Sequence, residues 1–201
     1  MYIPAYSSMT EDDAWALMRE FPFALLVTAP DGVPFATSVP FTVLEESSKL
    51  LTHVAIANPQ WRHLQPDLEV LIIFRAEHAF VSSRWYESQP NVPTWNYAIV
   101  HAYAKPRILE PEELHAQLEG LMHSYGHAAD MTALPADYVD RMQKGIVGIG
   151  LDVTRLEGKQ KLSQNRTAAD QHGVVAQLET QGELEQAVAA RMRANLEPQV
   201  P

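Results

Sequence analysis

The residues that could carry chemistry fall into three stretches. The first, Arg84 to His101, places Trp85, Tyr86, Trp95, Asn96, Tyr97 and His101 within eighteen residues. Pro90 and Pro93 stiffen this loop before the apolar run Tyr97 to Val100 begins. Aromatics with amide and imidazole heads entering a buried strand suit the wall of a ligand pocket. They also suit core packing, since a buried Trp or Tyr carries a large apolar area and needs one polar partner. The second stretch is Lys159 to Arg166, where Lys161, Ser163, Gln164, Asn165 and Arg166 offer charged and neutral donors within six residues. Amides suit the edge of a heteroaromatic ring and cations suit phosphate. The plain alternative is a solvated loop. The third is Asn58-Pro59-Gln60-Trp61, after the apolar run Leu50 to Ile56. Asn58 reads as a helix N-cap and Pro59 as the first helical position. A helix start of this kind offers unpaired N–H groups to an anion, although it also reads as a simply capped helix.

Histidine gives less. Glu119, His123 and His127 follow each other at four-residue spacing, but Gly126 ends the helix before His127 and no fourth ligand is in view, so no metal is expected. His53 and His101 fall in strands, as core or pocket residues. No serine nucleophile elbow, phosphate loop or dinucleotide glycine fingerprint occurs, and no side chain stands out as a catalytic acid or base.

Composition limits the classes of function. The chain has 201 residues, no cysteine and a net charge of -10. The missing cysteines exclude disulfides and thiolate metal sites and fit a cytoplasmic protein. No apolar run is long enough for a membrane span, and the N-terminal residues do not read as a signal peptide. The acidic balance opposes direct DNA binding, which draws on basic surface. Against that background, Arg155, Lys159, Lys161 and Arg166 stand out with a single acid, Glu157, among them. This excess is small for a duplex but ample for one phosphate or a flavin-sized anion.

The elements that must position these residues are mainly strands. Residues 2 to 6 read as an extended arm. Thr10 and Asp13 open a helix whose buried stripe is Ala14, Trp15, Leu17 and Met18. Strands follow at 23–28, at 34–43 with a break at Pro40, and at 49–56, with a turn at 29–32 set by Pro30 and Gly32. A short helix from Asn58 reaches about Leu64. Then come a strand at 68–75, a break at Glu77-His78, a short strand at 79–82, and a long strand at 97–109, bent at Pro106. Helices at 111–124 and 135–144 precede a last strand at 145–156, whose glycines suggest a bend that closes a barrel. Two C-terminal helices follow, one capped by Thr167 and a final one at 183–196 set apart by Gly182, and the tail at 198–201 reads as frayed. Short connections between many strands favour an antiparallel barrel or sandwich. The fold expected is mainly β with peripheral helices. Residues 1–156 form the barrel; residues 157–201, the basic segment and last helices, belong to the same domain.

Five blocks, in order, carry a family resemblance: Phe21–Thr28, His53–Trp61, Ser82–Tyr86, Val92–Tyr97 with Val100–Ala102, and Leu156–Lys159 with Lys161–Arg166. On them the chain resembles the PaiB family, FMN-binding split β-barrel proteins often labelled negative transcriptional regulators. The resemblance implies a homodimer with FMN in a groove between two barrels. It places the phosphate near Asn58, Gln60 and Trp61. The isoalloxazine ring would lie near Thr37, Ser38 and the Trp95-Asn96-Tyr97 block, with His53 beside the site. Lys161, Ser163, Gln164, Asn165 and Arg166 would close it. Three positions depart from the family pattern: Ile56 replaces a basic residue, Ser38 a histidine and Gln160 an aromatic. A cation missing beside a phosphate costs about 1–3 kcal/mol. The function implied is that of a flavoprotein, as an oxidoreductase on a small molecule, or a transcriptional regulator acting directly or indirectly. Haem held by His53 or His101 is a third possibility.

Overall fold

A computed structural model describes residues 1–126 and 134–196. Seven strands occur among them: β1 (Phe23–Thr28), β2 (Phe35–Pro40), β3 (Thr42–Leu44), β4 (Lys49–Ala55), β5 (Val70–Val81), β6 (Thr94–Ile108) and β7 (Ile146–Lys161). They form one antiparallel sheet in the order β2-β1-β5-β6-β7-β4-β3. The helices are α1 (Glu11–Glu20), α2 (Pro111–Ser124), α3 (Ala136–Gln143), α4 (Ala168–Leu178) and α5 (Glu183–Leu196). No described helix is long and apolar enough to cross a membrane. The expected tail at 198–201 and His127 lie outside the described residues.

The chain forms two compact units. Unit 1 comprises Met1–Ala14, Arg75–Val100 and the chain from Glu157 on; unit 2 comprises Trp15–Phe74 and His101–Leu156. Three strands, β5, β6 and β7, run from one unit into the other.

Local rules explain most elements. Thr10 Oγ1 accepts from the Asp13 N–H at 3.1 Å, and Ala14, Trp15, Leu17 and Met18 are all buried on α1. The strand expected at 34–43 divides around Pro40 and the buried Phe41. Gly32 closes the turn before β2 with φ +78°, a conformation that costs glycine little.

Four expectations need correction. The arm at 2–6 contains a 3-10 turn, Ala5–Ser7. The strands at 68–75 and 79–82 are one strand, β5. Glu77-His78 lacks the glycine, proline or side-chain turn that would break it, and Glu77 is held by Arg191 at 3.1 Å. Burial on β5 alternates from Val70 to Ala76, then slips by one residue and resumes at Ala79 and Val81. Third, β6 begins at Thr94, so Trp95 and Asn96 are strand residues rather than loop residues. Pro106 interrupts neither the strand nor its alternation. Fourth, β7 continues to Lys161, which makes the start of the basic segment strand. The β7 glycines serve close packing: a Cβ on Gly148 would meet Leu109 and Leu114 at 3.0 Å, and one on Gly150 would meet Leu109 at 2.9 Å.

Candidate functional site

In unit 1, strand alternation sorts the aromatic block. Trp95, Tyr97 and Ile99 lie on the outer face of β6, while Asn96, Ala98 and Val100 are buried. The slip in β5 brings His78 and Phe80 to the same outer side as Arg75. The Trp95 ring centroid is 5.7 Å from that of His78 and 5.9 Å from that of Phe80. Arg75, His78, Trp95, Tyr97 and Ile99, with Met1, line a groove of about 500 Å³, a volume typical of small-molecule sites. Arg75 and His78 were not among the residues singled out from sequence. The signal available there was a cation and an imidazole three residues apart on an apolar strand.

Asn96 turns the other way. Its amide exchanges hydrogen bonds with Ser163 Oγ at 3.1 and 3.2 Å and reaches Met192 Sδ at 3.3 Å. Both Asn96 and Ser163 are buried, beside a core of Ala79, Val81, Leu162, Val174, Leu178 and Val188. Ser163 adopts φ +67°, a conformation strained for a residue with a side chain.

The segment after β7 is largely closed on itself. Lys161 Nζ donates to Thr94 Oγ1 at 2.5 Å and to the Trp95 carbonyl at 2.6 Å. Burial, followed by the charges of Lys159 and Arg166, lowers its pKa. Gln164 bridges the Leu162 N–H and the Gln160 carbonyl, at 2.7 and 2.6 Å. The Arg166 guanidinium lies 5.0 Å from the Tyr86 ring centroid, and Asn165 is exposed. Lys159 Nζ is 5.7 Å from the Tyr97 ring centroid and donates to the Tyr2 carbonyl at 3.2 Å. Gln160, at the position of a family aromatic, donates to Asn195 at 3.0 Å.

In unit 2, Thr37, Asn58, Gln60 and Trp61 form one hydrogen-bonded corner. Asn58 Oδ1 accepts from the Gln60 N–H at 2.9 Å, and its Nδ2 donates to Thr37 Oγ1 at 3.0 Å. The helix it caps is a 3-10 turn of five residues, Pro59–His63. So short a turn aligns few peptide dipoles, which weakens the field an anion would meet at its start. Gln60 is fully buried, and its Nε2 donates to the Leu26 carbonyl at 2.8 Å and to the Phe35 carbonyl at 3.3 Å. It ties the turn to β1 and to the start of β2. Trp61 Nε1 donates to the Ile56 carbonyl at 3.0 Å, and Arg62 stacks 4.6 Å from the Trp61 ring. Arg62 thus supplies a cation in the segment where Ile56 does not. Ser38 is exposed and pairs with Leu25 of β1.

His53 lies elsewhere in unit 2. Its Nδ1 meets Gln117 Oε1 at 3.3 Å, and burial lowers its pKa more than this bond raises it. With Leu118, Leu121, Met122, Tyr138 and Met142 it lines an apolar cavity of about 400 Å³. On α2, His115 bonds Gln143 at 2.7 Å through Nδ1 and Glu119 at 3.3 Å through Nε2. Among the described residues no group of three or more His, Cys, Asp or Glu is placed to hold a metal.

Known proteins locate this arrangement. The chain is 14% identical to an FAD and haem binding protein from Mycobacterium smegmatis, at a TM-score of 0.61, over 83% of this chain and 78% of that one. It is 15% identical to the flavocytochrome Anf3 from Azotobacter vinelandii, at a TM-score of 0.58, over 80% of this chain and 72% of that one. These likenesses show the fold, a split β-barrel. The family model described as "Putative FMN-binding domain" matches residues 1–155. The Bacillus subtilis protein named "Protease synthase and sporulation protein PAI 2" is 37% identical over 90% of each chain. With the family model matching most of the chain and this relative matching nearly all of it, the chain belongs to the PaiB family.

Proposed function

We propose that the protein binds FMN as a homodimer and works as an oxidoreductase on a small molecule. The observation that carries this reading is the outer face of unit 1. There Trp95, Tyr97 and Ile99 form an aromatic and apolar floor, and Arg75 lines the same groove. A flat aromatic ring fits such a floor by stacking, and an anionic group fits the cations beside it. Bound FMN would supply the redox chemistry by accepting and donating electrons. Trp95 and Tyr97 would orient its ring, with Lys161 fixing the Trp95 backbone from behind.

The test is an absorption spectrum of the purified protein before and after incubation with FMN and desalting. Retained flavin bands are expected, with a Kd in the micromolar range or below. Trp95 is 51% exposed, so Trp95→Ala removes stacking without opening the core. It should weaken FMN binding about tenfold, since stacking of a base on an aromatic is worth about 1–3 kcal/mol. Protein that stays colourless at tens of micromolar FMN overturns the reading.

A further inference from the structure

Two cations of unit 1 flank its aromatic face from different strands. Arg75 is on β5 and Lys159 is on β7; β6, which bears Trp95 and Tyr97, lies between those strands in the sheet. Neighbouring strands are about 4.8 Å apart, so β5 and β7 are roughly 10 Å apart across the sheet. That is a distance one flat ligand with an anionic tail can span.

The rims differ in chemistry. Arg75 is exposed, lines the groove with Trp95 and Tyr97, and has no ion-pair partner among the described residues. Its guanidinium is a planar fork of donors, suited to a flat edge with adjacent acceptors. Beside it stands His78, its ring tilted 32° to that of Trp95. The slip in alternation at Glu77-His78 is what brings His78 to this face. An uninterrupted alternation from Arg75 would have put Glu77 there instead. A carboxylate in that position would repel an anion and pair with Arg75. In the structure Glu77 bonds Arg191 on α5. Across β6, Lys159 lies outside the groove's lining but holds its ammonium beside the Tyr97 ring; it gives one donor to the Tyr2 carbonyl at 3.2 Å and keeps two more, suited to a phosphate as a point charge. Lys161 and Arg166 are engaged with Thr94, the Trp95 carbonyl and Tyr86.

We propose that the two rims divide the ligand, Arg75 with His78 holding the carbonyl edge of the flavin ring and Lys159 holding the phosphate. This assignment rests on the flavin reading above. It makes Arg75 a positioning residue with a redox consequence. The ring gains negative charge when reduced, so a guanidinium at its edge favours the reduced form over the oxidised one. Lys159, facing a phosphate whose charge does not change, lacks that effect.

The test uses the full chain, two variants and two probes, FMN and riboflavin, which lacks the phosphate. Arg75→Gln should weaken both probes about tenfold. Lys159→Gln should weaken FMN about tenfold and leave riboflavin within twofold. The midpoint potential of bound FMN, titrated with dithionite, should fall by about 30 mV in Arg75→Gln, the two-electron equivalent of a further tenfold loss for the reduced form. It should not move in Lys159→Gln. A fall in FMN affinity alone for Arg75→Gln, or an unmoved potential, overturns the assignment while leaving flavin binding intact. Wild-type protein that binds neither probe overturns the flavin reading and this assignment with it. Both substitutions remove surface charges, and matching urea midpoints verify that the fold survives.

Discussion

His53 shows how burial sets a charge state. The imidazole is partly withdrawn from water, and its one bond, to Gln117, offsets only part of the cost of charging it. Its folded pKa is therefore below the ordinary value of about 6.5. In the unfolded chain His53 takes up a proton as pH falls through 6.5, while in the folded protein it resists. The stability this contributes is present above pH 6.5 and lost as pH falls through the folded pKa. Replacing His53 with Leu removes that term. The urea midpoint of His53→Leu relative to wild type should therefore rise progressively between pH 7 and pH 5. Parallel curves would show that His53 does not titrate against folding. The sequence marks His53 as a pocket or core histidine but not its partner, because Gln117 is 64 positions away. It also groups Trp95, Asn96 and Tyr97, which a strand must separate. Side chains one apart in β6 point to opposite faces, so Asn96 meets the buried Ser163 while its neighbours meet the groove.

Elements were legible where local chemistry decides them. The capped start of α1, the turn at Gly32 and the bounds of α2 and α5 follow from residues within a few positions of each other. Decisions made by distant contacts were not legible, as with the unbroken β5 or the extension of β7 through Lys161. Helix α4 gives a case where local and distant effects have opposite signs. Gly173 is in the interior of α4, and glycine there costs a helix about 1 kcal/mol against alanine. Propensity alone would make Gly173→Ala stabilising. The structure reverses this, because a Cβ at Gly173 would be 2.5 Å from the Trp85 carbonyl oxygen. A backbone atom cannot swing aside like the end of a flexible side chain. Trp85 ends a 3-10 turn, Ser83–Trp85; one turn earlier on α4, Asp170 accepts from the Ser88 N–H at 2.8 Å and from Ser88 Oγ at 2.7 Å, which holds the chain just after that turn against the helix. Overpacking costs about 1–3 kcal/mol and outweighs the gain in propensity. Gly173→Ala should lower the unfolding free energy from urea titration by about that amount, whereas a raised midpoint would mean the chain at Trp85 yields freely.

Charge and exposed apolar surface act on the molecule as a whole. A net charge of -10 sets up a repulsive field toward duplex DNA, so a regulatory role fits an indirect route better than a direct grip. The homodimer proposed above would have to bury apolar surface. Phe23 is 65% exposed and Leu25 39%, both on the outward face of β1, beside β2, which ends the strand order. An exposed apolar edge of this kind invites pairing unless it is covered. Ser38 pairs with Leu25 in the β1–β2 register, so a partner covering this stripe would bring Ser38 to the subunit boundary. Sedimentation equilibrium should give about 45 kDa, twice the chain mass of 22.5 kDa. Leu25→Glu places a charge in the stripe at a half-exposed site and should shift the mass toward the monomer. If the flavin lies between subunits, FMN affinity should fall in parallel with dimerisation as the protein is diluted. Wild-type protein sedimenting as a monomer at tens of micromolar overturns the dimer. A Leu25→Glu monomer that binds FMN as tightly as wild type would instead put the whole flavin site within one chain.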